Sequence, residues 1–203
     1  TERWWWIMDK LLQTLKKGGA VILPTETVYG LFARAFDQAA VQHVYNLKKR
    51  PLDKALNLNV ADLDSIYAYS TDQPAFLDKL YQAFLPGPLT IILKANDQVP
   101  EWINSGLSTV GFRVPAYGPT LDLIKKAGIL IGPSANLSGQ ESGQVFKEIQ
   151  AQFDQDLLGI EDDSALTGQD STILDLSGSQ ARILRQGAIT KEELLLAVPE
   201  LNF

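Results

Sequence analysis

Three short stretches and two arginines carry the residue types that chemistry on a polar anion requires. The first is Leu47-Lys48-Lys49-Arg50-Pro51-Leu52-Asp53-Lys54, in which four cations surround the end of a helical pattern and a proline forces the exit. Cations at a helix C-terminus complement its dipole and ordinarily face water; the same cluster can also neutralise a triphosphate. The second stretch, Gly132-Pro133-Ser134-Ala135-Asn136-Leu137-Ser138-Gly139, follows the apolar run Ile129-Leu130-Ile131. Loops at the ends of buried strands are where open α/β sheets bind ligands. Hydroxyls, an amide and glycine-exposed N–H groups suit phosphate or ribose, and equally serve turns and caps. The third, Pro24-Thr25-Glu26-Thr27-Val28-Tyr29-Gly30-Leu31, also follows a short apolar run, and its hydroxyls either bond a small polar substrate or close a turn. Arg113, in Thr109-Val110-Gly111-Phe112-Arg113-Val114-Pro115, and Arg185, in Ile183-Leu184-Arg185-Gln186-Gly187, are permanently charged forks among apolar neighbours. Each needs an anionic partner, either a structural carboxylate or one brought by a ligand. His43 lies mid-helix among packing residues and reads as part of the packing.

Much chemistry is excluded. The chain has no cysteine and one histidine, which removes disulfides, thiolate nucleophiles, Cys-ligated metals and His-rich metal sites, and which fits a reducing cytoplasm. Neither a Gly-rich loop ending in Gly-Lys-Ser/Thr nor a Gly-x-Gly-x-x-Gly turn occurs, so a nucleotide must be held in some other way. The formal charge of −6 disfavours broad adhesion to nucleic acid and leaves room only for a local basic cleft. No apolar run approaches a membrane span, and Trp4-Trp5-Trp6-Ile7-Met8 is too short for a signal-peptide core; it reads as an N-terminal packing anchor.

These stretches need elements to position them. Ile7, Leu11, Leu12 and Leu15 predict a helix over 7–17 stopped by Gly18-Gly19, followed by a strand at 20–23. Asp37 caps a helix over 38–49 that Pro51 ends, and 55–60 reads as a strand. Thr71 or Asp72 caps a further helix bearing Phe76, Leu77, Leu80, Tyr81 and Phe84. Strands are expected at 89–93, 109–114, 128–132, 157–160, 171–176 and 181–185, with helices near 119–127, 144–153 and 190–197. Glu161-Asp162-Asp163 reads as an exposed loop. Strands alternating with helices give an α/β domain, and the short connections of the second half give a mixed parallel and antiparallel sheet. At 203 residues without a linker or repeat, one domain over 1–203 is expected.

Taken in order, PTETVYGL, the Lys48-to-Pro51 cluster, FLPGPLTIIL at 84–93, TVGFRVP at 109–115, PSANLSG at 133–139, STILDL at 171–176 and ILRQGAI at 183–189 resemble the YrdC-type threonylcarbamoyl-AMP synthase family over about residues 10–190. The resemblance implies a single twisted, open mixed sheet with flanking helices around a large cleft. It implies a cytoplasmic nucleotidyltransferase that joins L-threonine, bicarbonate and ATP into threonylcarbamoyl-AMP and pyrophosphate, for threonylcarbamoyladenosine modification of tRNA. By similarity ATP is held by Lys48, Arg50, Lys54, Thr109, Ser134, Asn136, Ser142 and Arg185, with the catalytic part given to Lys48, Arg50, Ser134 and Asn136. Threonine is held by Thr27, Asn59, Arg113 and Ser171, with Arg113 on its carboxylate. Magnesium is expected on the phosphates. Other threonylcarbamoylation proteins are expected to receive the adenylate, tRNA or double-stranded RNA is a further partner, and no membrane is involved. The sequence ends soon after the matching region, so the additional C-terminal domain of longer relatives is expected to be absent.

The chain departs from the family pattern at several places: Asn59 and Tyr117 where histidine is common, Phe32 for glycine, Leu85 for tryptophan, Gln186 for proline, Gly143-Gln144 for Pro-Thr, and Asp170 for glutamate. Two other functions fit the same residues less well. A non-catalytic double-stranded-RNA or ribosome-associated module would use the same basic cleft, against the net charge. The carbamoyl-adenylating domain of hydrogenase maturation factors would bring cysteine zinc motifs, which this chain lacks.

Overall fold

The computed structural model describes all residues, 1–203. In chain order the elements are α1 (Glu2–Lys16), β1 (Val21–Leu23), β2 (Gly30–Arg34), α2 (Gln38–Lys48), β3 (Leu58–Asn59), α3 (Leu63–Ala68), β4 (Ser70–Thr71), α4 (Leu77–Phe84) and β5 (Leu89–Ala95). They continue with α5 (Glu101–Asn104), β6 (Thr109–Arg113), α6 (Gly118–Ala127), β7 (Leu130–Ile131), α7 (Phe146–Gln150), a 3-10 turn Asp163–Ala165, β8 (Thr172–Asp175), β9 (Arg182–Arg185) and α8 (Lys191–Ala197). One open sheet runs β1-β2-β7-β3-β6-β5-β8-β9, with β4 paired to β5 off that path. Only β3 with β6 and β5 with β8 are parallel, so the sheet is mixed, as the short connections require.

The register decides where ligands can bind. Leu23 faces Gly30, Asn59 faces Arg113, Ile91 faces Phe112, Leu89 faces Thr172 and Ile173 faces Arg185. The pairings put the C-terminal ends of β1 and β7 beside the N-terminal end of β2, and the C-terminal ends of β3, β6 and β9 beside the N-terminal ends of β5 and β8; the antiparallel pairing of β3 with β7 separates these two groups along the sheet. Residues from both groups line one cleft, so widely separated parts of the chain meet there.

Two apolar clusters hold this frame. The larger unites the buried residues of α2, α4, β5 and β6 with those of the C-terminal elements; the smaller joins Leu11 and Leu15 of α1 to Val21, Leu23, Phe32, Leu123, Ile124 and Leu130. Phe32 is fully buried in the smaller cluster. Its ring has room because two glycines flank it: a Cβ at Gly30 would lie 2.4 Å from one ring edge and a Cβ at Gly132 2.3 Å from the other.

Several expectations need correction. The tryptophans do not anchor packing: Trp4, Trp5 and Trp6 are 41, 70 and 57% exposed. Consecutive helical residues point about 100° apart, so three in a row cannot share the buried stripe that begins at Leu11. The helix expected from Thr71 or Asp72 starts at Leu77, because Ser70 and Thr71 pair with β5 and Asp72 takes φ +51°, which cannot enter a helix. Residues 157–160 form no strand and make only a bridge from Gly159 to Ile22. The strand of 55–60 is reduced to Leu58–Asn59 and the helix of 144–153 to Phe146–Gln150. β2, inside a stretch read partly as loop, lacks the alternation that marks a half-exposed strand because Gly30 to Ala33 are all buried.

Candidate active site

Residues from both groups of strand ends line a cleft of about 380 Å³, within the usual size of a small-molecule site. Its walls carry the guanidinium groups of Arg50, Arg113 and Arg185 and the hydroxyls of Thr25, Thr27, Thr90, Ser134, Ser142 and Ser171; Asp170 is the one carboxylate. An excess of fixed positive charge in a partly enclosed site selects anions.

Each cation is held by its own chain segment. α2 stops at Lys48 because Lys49 adopts the left-handed region at φ +51°, and Arg50 N then donates to Tyr45 O at 2.9 Å. That turn sends the four cations of the cluster in different directions. Arg50 lines the cleft, with Nη2 on Ala55 O at 2.8 Å, while Lys49 and Lys54 are exposed. Lys48 points inward, 1% exposed, donating to Asn136 O at 2.6 Å and to Ser134 O. Burial, with the neighbouring Arg50 charge, pulls its ammonium down to about 8.

Arg113 ends β6, buried, and is already engaged: Nη1 donates to Gly87 O at 2.8 Å, and Nη2 donates to Thr27 Oγ1 at 3.2 Å and to Glu26. Glu26 also accepts from Ala116 N. The structural carboxylate that the arginine's position demanded is therefore Glu26, two residues along the motif from Tyr29's neighbour Val28. The loop carrying both Glu26 and Thr27 is closed by Thr25, whose Oγ1 donates to Val28 O at 2.6 Å and accepts from Thr27 N and Val28 N at 3.1 and 3.2 Å.

Arg185 is exposed at the end of β9 and is oriented by Ser171: Nε donates to its carbonyl at 3.0 Å and Nη2 to its hydroxyl at 3.1 Å. The Ser171 hydroxyl also bonds Thr90 Oγ1 at 2.9 Å. Asn59 is 5% exposed, lines the cleft and has no hydrogen bond from its side chain to the protein, so its carboxamide is free for a ligand.

A strap over 161–168 braces the threonine-rich loop. Buried Tyr29 donates to Asp163 Oδ1 at 2.6 Å and accepts from Asp162 N at 2.9 Å, while Tyr117 donates to Asp162 Oδ2 at 2.8 Å. Thr167 N and Gly168 N donate to the carbonyls of Glu26 and Thr27. The stretch read as an exposed loop is thus tied down. Burial and the Asp162 bond push Tyr117 up to about 12, and burial with the Asp163 bond raises Tyr29 as well. Asp162 is held low by hydrogen bonds from Ser164 and then Tyr117.

Of the twelve residues singled out, the structure brings Arg50, Ser134, Ser142, Arg185, Thr27, Asn59, Arg113 and Ser171 to one cleft. Lys48 and Asn136 lie buried behind it, Thr109 is half-buried at the start of β6, and Lys54 is exposed near the Arg50 turn; none of these four lines the cleft. His43 is half-buried on α2, also outside the lining. Asn57 and Thr90, to which sequence reading gave no role, also line it, as do Thr25 of the threonine-rich stretch and Asp170. Thr90 had a signal, as the polar residue inside the apolar run Leu89 to Leu93. No group of three or more His, Cys, Asp or Glu side chains is placed to hold a metal ion, and Asp170 alone does not make a site. No helix is long and apolar enough to cross a membrane.

Comparison with known proteins shows what the chain as a whole is similar to. Residues 13–187 match the family model Sua5_yciO_yrdC, described as "Telomere recombination". The threonylcarbamoyl-AMP synthase of Bacillus subtilis is 36% identical over 183 residues, covering 89% of this chain and 53% of that protein. The threonylcarbamoyl-AMP synthase of Pyrococcus abyssi is 34% identical over 190 residues, covering 93% and 56%. The crystal structure of P. abyssi Sua5 complexed with L-threonine is similar at a TM-score of 0.89 and 33% identity, covering 98% of this chain and 58% of that one. The chain spans about half the length of these curated relatives.

Proposed function

This chain belongs to the Sua5/YciO/YrdC family, and on that premise we propose that it joins L-threonine, bicarbonate and ATP into threonylcarbamoyl-AMP, with release of pyrophosphate. The observation that carries this reading is the convergence of Arg50, Arg113 and Arg185, from three distant segments, on one cleft that also holds Ser134, Ser171 and a free Asn59 carboxamide. On the nucleotide side are Arg50, Ser134, Ser142 and Arg185, with Lys54 and Thr109 at the periphery and Lys48 and Asn136 behind the Ser134 turn. On the amino-acid side are Thr27, Asn59, Arg113 and Ser171. Arg113 is fixed by Glu26, Thr27 and Gly87 before a ligand arrives, which lowers the cost of ordering it around a substrate carboxylate.

The chemistry suits this equipment. Threonine's amine condenses with bicarbonate, losing water, to give a carbamate; a carbamate oxygen then attacks the α-phosphorus of ATP and the bond to the β,γ-diphosphate breaks. Neither step needs a covalent enzyme intermediate, so fixed cations and hydroxyls can provide alignment and charge neutralisation in a chain without cysteine. Magnesium enters this scheme as part of the nucleotide substrate, since the protein's own side chains form no metal cluster. The adenylate would pass to further proteins that place the threonylcarbamoyl group on tRNA.

Mixing the protein with MgATP, threonine and bicarbonate should yield threonylcarbamoyl-AMP by mass spectrometry, with pyrophosphate release that depends on threonine. Equal pyrophosphate release without threonine, or no product of the adduct's mass, refutes the reading.

A further inference from the structure

We infer that Lys48 is a positioning residue: its ammonium is the fixed point around which the turn from Ser134 to Ser138 is wound, and it does not touch the nucleotide. The lysine grips the turn from both ends of its own residue. Nζ donates to the carbonyls of Ser134 and Asn136, the second at 2.6 Å, and the Lys48 carbonyl accepts from Ser138 N at 2.8 Å. On the far side Ala135 N donates to Tyr29 O at 2.8 Å, so the turn is pinned between α2 and the end of β2.

The environment of the ammonium fits this role and not that of a phosphate ligand. Lys48 is 1% exposed and no carboxylate pairs with it, so carbonyl dipoles alone compensate the charge. A buried cation without a counter-ion is costly for the fold, and replacing it with an apolar chain of similar length need not weaken the fold as a whole. What its loss removes is specific: the Asn136 carbonyl loses its donor, the Ser134 carbonyl keeps only Asn136 N, and the turn loses its anchor. Ser134, the turn residue that lines the cleft, is the group whose position then changes. Lys48 and Arg50, two residues apart in a motif that looks like a single phosphate clamp, thereby take different parts, with Arg50 in the cleft and Lys48 beneath its wall.

The inference rests on the proposed nucleotide reading only for what the turn faces, and its test needs no activity. Lysine labelling by reductive methylation of the wild-type protein, read by mass spectrometry with and without MgATP, separates the two roles. The expected pattern is ready modification of exposed Lys49 and Lys54, with Lys48 resistant and indifferent to MgATP; ready labelling of Lys48 that MgATP prevents overturns the inference. In Lys48→Met, amide hydrogen exchange at Ala135 and Ser138 in the ligand-free protein should run about ten- to a hundredfold faster, as when charge-assisted hydrogen bonds are lost, while β5 amides stay unchanged. Wild-type exchange at these two amides in a folded variant also overturns it. Failure of the wild type to make the adenylate would instead strike the proposed function and leave both readouts standing.

Discussion

Gly132→Ala tests whether the floor of the cleft is built as described. Gly132 follows β7 and lies across from β2; its φ is outside the left-handed region, so alanine meets no backbone penalty there and only space decides the cost. The added Cβ would stand 2.3, 2.6 and 2.8 Å from Cε1, Cδ1 and Cζ of Phe32. That ring is fully buried in the cluster of α1 and α6, and a Cβ-sized retreat toward its other edge is closed by Gly30, whose own Cβ position lies 2.4 Å from Cε2. Overpacking of this kind costs about 1–3 kcal/mol. Phe32→Ala alone, by opening a cavity, costs about 3–5 kcal/mol. In that cavity the new methyl has room, so Gly132→Ala made in the Phe32→Ala background should cost close to nothing, a coupling of about 1–3 kcal/mol in a double-mutant cycle. Urea unfolding followed by circular dichroism measures all four proteins. If Gly132→Ala costs the same with and without the phenyl ring, or is silent in the wild type, the account of Phe32 packed between two glycines is wrong.

Other perturbations follow from the same structure. Lys48, with a folded-state value of about 8 against an ordinary 10.5, holds fewer protons folded than unfolded between those pH values, so its contribution to stability rises with pH across that window. Relative to Lys48→Met, the wild type should gain roughly 1 kcal/mol per pH unit in urea unfolding between pH 8 and 9.5; a flat difference refutes the burial of its charge. Thr172→Val deletes a fully buried hydroxyl that donates to Ile189 O at 2.5 Å and accepts from Gly187 N and Ile189 N at 3.1 and 3.0 Å, leaving two amides unpaired behind the Arg185 turn. A loss of about 2–4 kcal/mol and a raised MgATP requirement are expected, and unchanged stability would rule out that brace. Tyr29→Phe removes both hydrogen bonds to the 161–168 strap and should cost about 1–3 kcal/mol, with faster limited proteolysis within the strap. Arg113→Lys keeps the charge but loses the fork, and should raise the threonine requirement about tenfold or more while barely moving that for ATP; equal increases would remove Arg113 from the amino-acid side.

The amino-acid sequence determined which segments matter and what sort of ligand they suit. Cations, hydroxyls and an amide at the ends of apolar runs, in a chain without cysteine, are legible as an anion-binding α/β domain, and most of the helices followed from their periodicity and caps. It could not say which way each side chain points. Lys48 and Arg50 diverge because one residue between them takes a left-handed turn, and Lys48 is held inward by hydrogen bonds shared with Asn136 and Ser138. Arg113 demanded a carboxylate, and whether that was a ligand's or Glu26's depended on a loop 87 residues away in sequence. The tryptophans read as an N-terminal packing anchor, yet they stand outside because the buried stripe of α1 is set by what α6 and β1 offer it. Residue type and spacing fix local backbone preference and chemistry; the direction of a side chain, its partner and its burial are fixed by contacts between distant segments, and these exist only once the sheet has formed and brought those segments to one cleft.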